Sequence, residues 1–297
     1  MGAVYKKELR TYFTSPIGYV VLGVFLIFMG LFFRDTNLSA KVANFGYALA
    51  STMIIVLIIL PILTMRLLSE EQKQKTDQLL FSVPIKVSDI VLGKFFAVVT
   101  LFSIPVVIVC TIPPVLSQFG EINFKQEYST IFDFWMLGCV LLALGILISA
   151  TTESQVVAAV LNFGINIVLY YMSYIAGMVS QTSLASVIEY TIIIIIIALL
   201  IYWFTKSIMT SAILGGVLEL ILVGIYFLDN YLLGKEIIET SFMESTFTVV
   251  LSNISFFNRF FDIVSGSFDI STIIYYGSFT AFFLFLTMQL IQKRRWS

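Results

Sequence analysis

The sequence predicts an all-α, polytopic membrane bundle of about eight transmembrane helices, and three observations carry that prediction. Hydrophobic residues fill 59% of the 297 positions and charged residues only 12%, far outside soluble globular usage. The mean hydropathy is +0.99. Apolar runs long enough to cross a hydrocarbon core of roughly 30 Å cover 17–33, 45–65, 95–117, 132–150, 156–179, 184–204, 211–228 and 272–291.

The chain opens with AVYKKELRTYFTSP, residues 3–16. Tyr5, Leu9, Tyr12 and Phe13 fall at i, i+4, i+7 and i+8, with Lys6, Lys7 and Arg10 around the other side. This pattern predicts an interfacial helix over 1–16 lying in the headgroup plane, with Pro16 breaking the chain before the first span. The bland alternative is a basic tail that serves only topology. The first apolar run lacks a small-residue cleavage site and ends in FFRDTN, so it reads as a retained span.

Residues 66–94 form a charged, turn-punctuated stretch between the second and third spans. Ser69 and Gln72 have capping-box spacing, and Glu70 and Glu71 occupy a first turn, where the helix dipole favours anions. A coupling helix is therefore predicted from Ser69, closed by Pro84, with Ser88 capping the next helix into the third span. Leu79, Leu80 and Phe81 set apolar surface in this charged stretch, either as a docking tip or as packing under the bundle.

In the fifth span Asn162, Asn166, Tyr170 and Ser173, at i, i+4, i+8 and i+11, draw a polar stripe that either lines a pathway or bonds a second helix. The Asn44, Tyr47, Ser51 edge of the second span is likewise not expected to face lipid. Glu219 lies near the middle of the seventh span, where an ionised carboxylate costs roughly 2.5 to 3.5 kcal/mol. It should face the bundle or a wet cavity, as an interhelical hydrogen bond or as part of a transport path. No aspartate is read as lying deep in a span. Segment 229–271 is expected outside, and Phe256, Phe257, Phe260, Phe261 and Val264 predict an interfacial or re-entrant outer helix over 255–264.

Lysine and arginine are retained on the cytosolic side of short loops. With both termini inside, twelve of the 17 Lys and Arg lie on that side, so cytosolic termini are expected. The formal net charge of −1 implies no nucleic-acid partner. Cys110 and Cys139 both lie in predicted spans and point to packing rather than to a disulfide framework. No linker or repeat divides the chain, so one membrane domain is expected over 1–297. The sequence holds no histidine, which excludes HExxH zinc sites, Ser-His-Asp triads and His-ligated haem. It also lacks a phosphate-binding G-x-x-x-x-G-K-[ST] loop. No catalytic, cofactor or metal residue is expected, and the chain is not expected to hydrolyse ATP itself.

Several motifs together resemble the permease subunits of ABC-2 type transporters, especially the branch that includes the gliding-motility permeases. Lys7, Glu8 and Leu9 match a Lys-Glu-Leu surface helix, and Tyr12 to Tyr19 matches a Tyr-Phe-x-Ser-Pro-x-Gly-Tyr run. Glu70, Glu71, Thr76, Leu79, Leu80 and Pro84, followed by Leu92, Gly93 and Lys94, fit the coupling-helix pattern. Lys75 stands where that pattern usually has glycine, and Gln78 where it often has glutamate. SFFNRFFDIVSGSFD and the terminal KRRWS complete the likeness.

The resemblance implies a permease of a bacterial cytoplasmic membrane, an exporter driven by two separate ATP-binding subunits that hold ATP and Mg. It also implies a second permease, identical or homologous. ATPase coupling would fall on Glu70, Glu71, Thr76, Asp77, Leu79, Leu80 and Pro84, with Glu153 in the TTESQ turn 151–155 as a second contact. Asn162, Asn166, Tyr170 and Glu219 would be pathway or dimer-interface candidates. The alternatives are a secondary transporter, which should place ionisable groups near the midplane of several spans, and a membrane-embedded lipid-modifying enzyme, which should cluster acids or bases at one interface.

Overall fold

The computed structural model describes the chain apart from residues 77–85, 119, 179–181, 206–207, 235–245, 267–268 and 297. The described residues form α-helices and one π-helical turn, with no strand. Seven helices are long and apolar enough to cross a membrane, and Ala185–Ile195 is a shorter apolar helical stretch. Seven of the about eight expected spans are thus found among the described residues, and the remaining one, 184–204, lies on the helix Ser183–Thr205. The chain divides into two compact units, Met1–Val168 with Arg259–Ser297, and Leu169–Asn258.

In the first unit, α1 (Gly2–Thr14) ends at an extended Ser15, and Pro16 opens α2 (Pro16–Phe33) at its first turn. Proline fits there because the first amide of a helix has no intrahelical acceptor. The sharp corner needs Gly18, where a Cβ would stand 2.4 Å from the Tyr12 carbonyl oxygen. A π-helical turn, Arg34–Ser39, extends α2, and α3 (Gly46–Thr64) follows. Glu127 accepts the Phe45 amide at 3.2 Å through both oxygens, which satisfies a free donor at the start of α3.

Four unwound residues separate α3 from the short α4 (Ser69–Lys73). The third span starts earlier than predicted, at Val87, and is in two pieces, α5 (Val87–Val109) and α6 (Ile112–Leu116). Next come α7 (Phe124–Thr151), capped by the Asn123 side chain, and α8 (Gln155–Met178). The spanning window of α7 is 78% buried, against 22% for that of α2, so α7 is the central helix. Around it Phe25, Phe102, Phe134 and Phe260 pack with ring centroids 6.0 to 6.3 Å apart. Gly138 makes room for Phe102, whose ring would lie 2.2 Å from a Cβ there.

The second unit holds α9 (Ser183–Thr205) and α10 (Ile208–Gly234), which pack as a pair, and α11 (Thr246–Ile254) against α9. A helix predicted over 255–264 is present as α12 (Phe256–Val264). Its covered residues include Phe256, Phe257, Phe260, Ile263 and Val264, while Phe261 is only partly covered. Ile263 thus takes the place expected for Phe261. The last helix, α13 (Ile270–Trp296), belongs to the first unit and packs most extensively along α7.

Candidate functional site

The chemistry of the first unit concentrates where α1, the 63–73 run and the start of α5 meet. Lys94 is 1% exposed, and its ammonium donates to Glu8 Oε1 at 2.8 Å and to the Leu67 carbonyl at 2.7 Å. It also lies 2.9 Å from Glu71 Oε1. Of its three donors, two make hydrogen bonds, and the Glu71 carboxylate adds an ion pair. A buried charge is tolerated only when paired and hydrogen-bonded, and this one is fully provided for. Lys7 lies 3.2 Å from Glu71 and 3.9 Å from Glu8. Burial pulls the Lys7 ammonium down, but Glu71, with Glu8 and Glu70, raises it above its ordinary 10.5.

Beside this cluster Tyr12 is fully buried and donates to the Leu63 carbonyl at 2.7 Å, with the Arg66 guanidinium 4.5 Å from its ring centre. Burial pushes the Tyr12 hydroxyl well above its ordinary 10.0. The Leu63 carbonyl belongs to the last turn of α3, where helix carbonyls lack intrahelical donors. The sequence pattern put Tyr5, Leu9, Tyr12 and Phe13 on the apolar face of an interfacial helix. In the structure Tyr12 is buried, Tyr5, Leu9 and Phe13 are partly covered, and Glu8 is buried beside Tyr12.

The expected capping box does not form. Leu68, not Ser69, is the N-cap of α4, and the Ser69 hydroxyl turns back to the Met65 carbonyl. The amides of Leu68 and Ser69 go to Ser149 Oγ at the end of α7, each at 3.1 Å. That hydroxyl in turn donates to the Met65 carbonyl at 3.0 Å. Gln72, expected to cap backwards, reaches the Ala150 carbonyl at 3.0 Å. Tertiary partners out-compete the local cap. Ser88 is not a cap either, because α5 begins after an extended Lys86. The result sets α4 directly against the end of α7 that leads into the 151–155 turn, bringing together the two segments singled out from the sequence.

Of the coupling candidates, Glu71 is engaged within the chain by Lys94 and Lys7. Glu70 is partly exposed and accepts from Gln74 at 3.4 Å. Thr76 donates to the Glu71 carbonyl at 3.3 Å, and Glu153 is exposed. Asp77, Leu79, Leu80 and Pro84 lie outside the described residues. The helix predicted to run unbroken from Ser69 stops at Lys73, and Lys75 adopts φ 54°. That left-handed conformation suits glycine, the residue the resemblance leads one to expect there.

Two residues of the polar stripe of α8, Asn162 and Asn166, face inward. Asn162 is 1% exposed and donates from Nδ2 to Thr64 Oγ1 at 3.2 Å, a bond to a second helix. Gly145 permits this approach, since a Cβ there would lie 2.6 Å from Asn162 Nδ2. Asn166 is 0% exposed, and neither its oxygen nor its nitrogen has a hydrogen-bond partner. Both side chains are buried within the single chain. Tyr170, in the second unit, stacks edge-on against Phe257 with centroids 5.1 Å apart. Glu219 accepts from Thr191 at 2.8 Å, the interhelical hydrogen bond that was one of its two readings.

Sequence reading missed four buried groups. Because α7 begins at Phe124, Asp133 lies more than two turns inside it and is 2% exposed, so an aspartate does lie deep in a spanning helix. Glu127 is 3% exposed. Glu8 and Lys94 were seen only as topology and motif residues. A signal existed for both, because Val4, Glu8 and Tyr12 share one face of α1, and Lys94 interrupts the apolar row Val87, Val91, Val98 of α5.

Among the described residues no group of three or more Cys, Asp or Glu is placed to hold a metal. Comparison with curated proteins and with solved structures returned no match. A family model described as "ABC-2 family transporter protein" matches residues 2–226, a stretch that contains α1, the Lys94 cluster, α4 and the 151–155 turn. The chain belongs to the ABC-2 transporter family and is a multi-pass membrane permease of an ABC transporter.

Proposed function

We propose that this permease is an exporter driven by separate ATP-binding subunits, two per complex, that dock on residues 69–84 and on the 151–155 turn. The observation that carries this reading is the joint between these segments, where Ser149 holds the start of α4 and Gln72 holds Ala150. A docking foot must not yield when pressed. Cross-links that satisfy backbone groups on both sides of a helix break give that stiffness, while Lys73, Gln74, Lys75 and Glu153 stay exposed for a partner.

In this reading the Lys94 end and both chain termini lie in the cytosol, in keeping with the cation asymmetry, and the membrane is a bacterial cytoplasmic one. ATP and Mg belong to the partner, and the permease itself carries no catalytic group. The motifs at both ends favour the gliding-motility branch. A second permease copy would meet faces left open by this chain. Tyr47, 50% exposed at the outer end of α3, and Val160, 63% exposed on α8, mark two of them.

Co-purification of the chain with its neighbours tests the reading. An ATP-binding subunit should travel with it, and Leu79→Asp with Leu80→Asp should abolish that association or the stimulated ATPase activity while leaving insertion intact. Unchanged coupling in the double variant would refute the docking site.

A further inference from the structure

An amphipathic helix that merely floats at a membrane surface has no use for a buried carboxylate, because burial of a charge is costly without a partner. Glu8 on α1 is 8% exposed and 2.8 Å from the ammonium of Lys94. Lys94 also takes Glu71 and the Leu67 carbonyl, so one buried cation joins α1, the start of the docking foot with the turn before it, and the helix that follows it. Other contacts repeat the pattern at the periphery. Tyr12 reaches Leu63, Tyr5 lies 3.1 Å from Thr100, and the terminal amine is 3.6 Å from Asp89. Gly93 lets the start of α1 come this close, since a Cβ there would stand 3.1 Å from the Met1 carbonyl.

We infer that Glu8 is a positioning residue: through Lys94 it fastens α1 to both arms of the docking foot, so that a motor pressing on the foot moves α1 with it. The inference rests on the motor-driven reading above, and it gives α1 a mechanical role beyond anchoring. A Glu8→Leu variant isolates the link, because Lys94 keeps Glu71 and the Leu67 carbonyl while α1 loses its charge-assisted bond.

Backbone hydrogen exchange tests this in two arms. In the permease alone, Glu8→Leu should speed exchange of the α1 amides by about tenfold, the factor expected for a lost charge-assisted bond, with α4 unchanged and Glu8→Gln intermediate. In the complex trapped with ATP and vanadate, wild-type α1 and α4 should change protection together. In Glu8→Leu the change should persist at α4 and vanish at α1. Unaltered exchange in the first arm, or an α1 response that survives the substitution, would overturn the inference. Failure to recover any ATP-binding subunit with the wild-type chain would instead count against the motor-driven reading, while the first arm still decides whether Glu8 fastens α1.

Discussion

The ammonium of Lys94 and the amide of Asn166 are equally enclosed, at 1% and 0% exposure, yet they differ completely in their bonds. Lys94 hydrogen-bonds two named oxygens and pairs with the Glu71 carboxylate, whereas neither amide atom of Asn166 has a partner. The difference teaches where rigidity lies. A satisfied buried charge holds the elements around it in one arrangement, because each would lose a strong bond by moving. An unsatisfied amide holds nothing, and it weakens the packing around it by its own desolvation. The end of the first unit that carries α1, α4 and the start of α5 is thus tied by polar bonds. On α8 the neighbouring Asn162 makes one interhelical bond, to Thr64, and Asn166 adds none.

The largest effect should come from Lys94→Met, which leaves Glu8 and Glu71 with only the exposed Lys7 as their cation. Loss of one partner from a buried ion cluster costs roughly 3 to 5 kcal/mol, so the thermal midpoint in detergent should fall sharply. A variant as stable as wild type would remove the contrast between the two sites.

Asn166→Leu should act in the opposite direction. Removing an amide that bonds to nothing recovers up to about 1 to 3 kcal/mol of desolvation, and the same melting measurement should show a rise. A marked fall would mean that the amide finds a partner in the assembled transporter.

A smaller gain should follow Lys75→Gly. At φ 54° a side chain is strained, and glycine should stabilise the end of α4 by about 1 kcal/mol after its own entropic cost. Exchange rates of the amides in 69–76 would register it.

The smallest effect belongs to Lys7, whose side chain is 59% exposed. Its proton affinity is raised in the folded chain, so its contribution is fully present below pH 10.5 and is lost as pH rises through the higher folded value. Solvent screening keeps that contribution under about 1 kcal/mol. Melting curves of wild type and Lys7→Ala should therefore converge at strongly alkaline pH and in high salt, and a gap that persists there would place the interaction elsewhere.

Which residues form helices was legible wherever composition alone decides. Runs of apolar residues must become helices in a hydrocarbon core because no other partner exists for their backbone groups, and proline at the head of α2 marked its start without reference to any neighbour. The amphipathic pattern of α12 was equally local. Caps were not legible, because Ser69 and Gln72 had two sets of partners to choose from. The set on α7 lies about eighty residues away in sequence, at |i−j| of 80 and 78. Span ends were misplaced for a related reason, since the charged turns at Val87 and Phe124 remain helical when Lys94, Glu127 and Asp133 are shielded by other helices.

By itself, then, the sequence determined that this chain is a helical membrane bundle with a charged foot between its second and third spans, because hydropathy and length are properties of single segments. Tertiary structure alone decided that Glu8, Glu71 and Lys94 would meet, that Asn166 would be enclosed and that α4 would rest against α7. Each of these depends on which faces of separate helices come together, and that choice is made by side-chain packing across the bundle, which no single segment encodes.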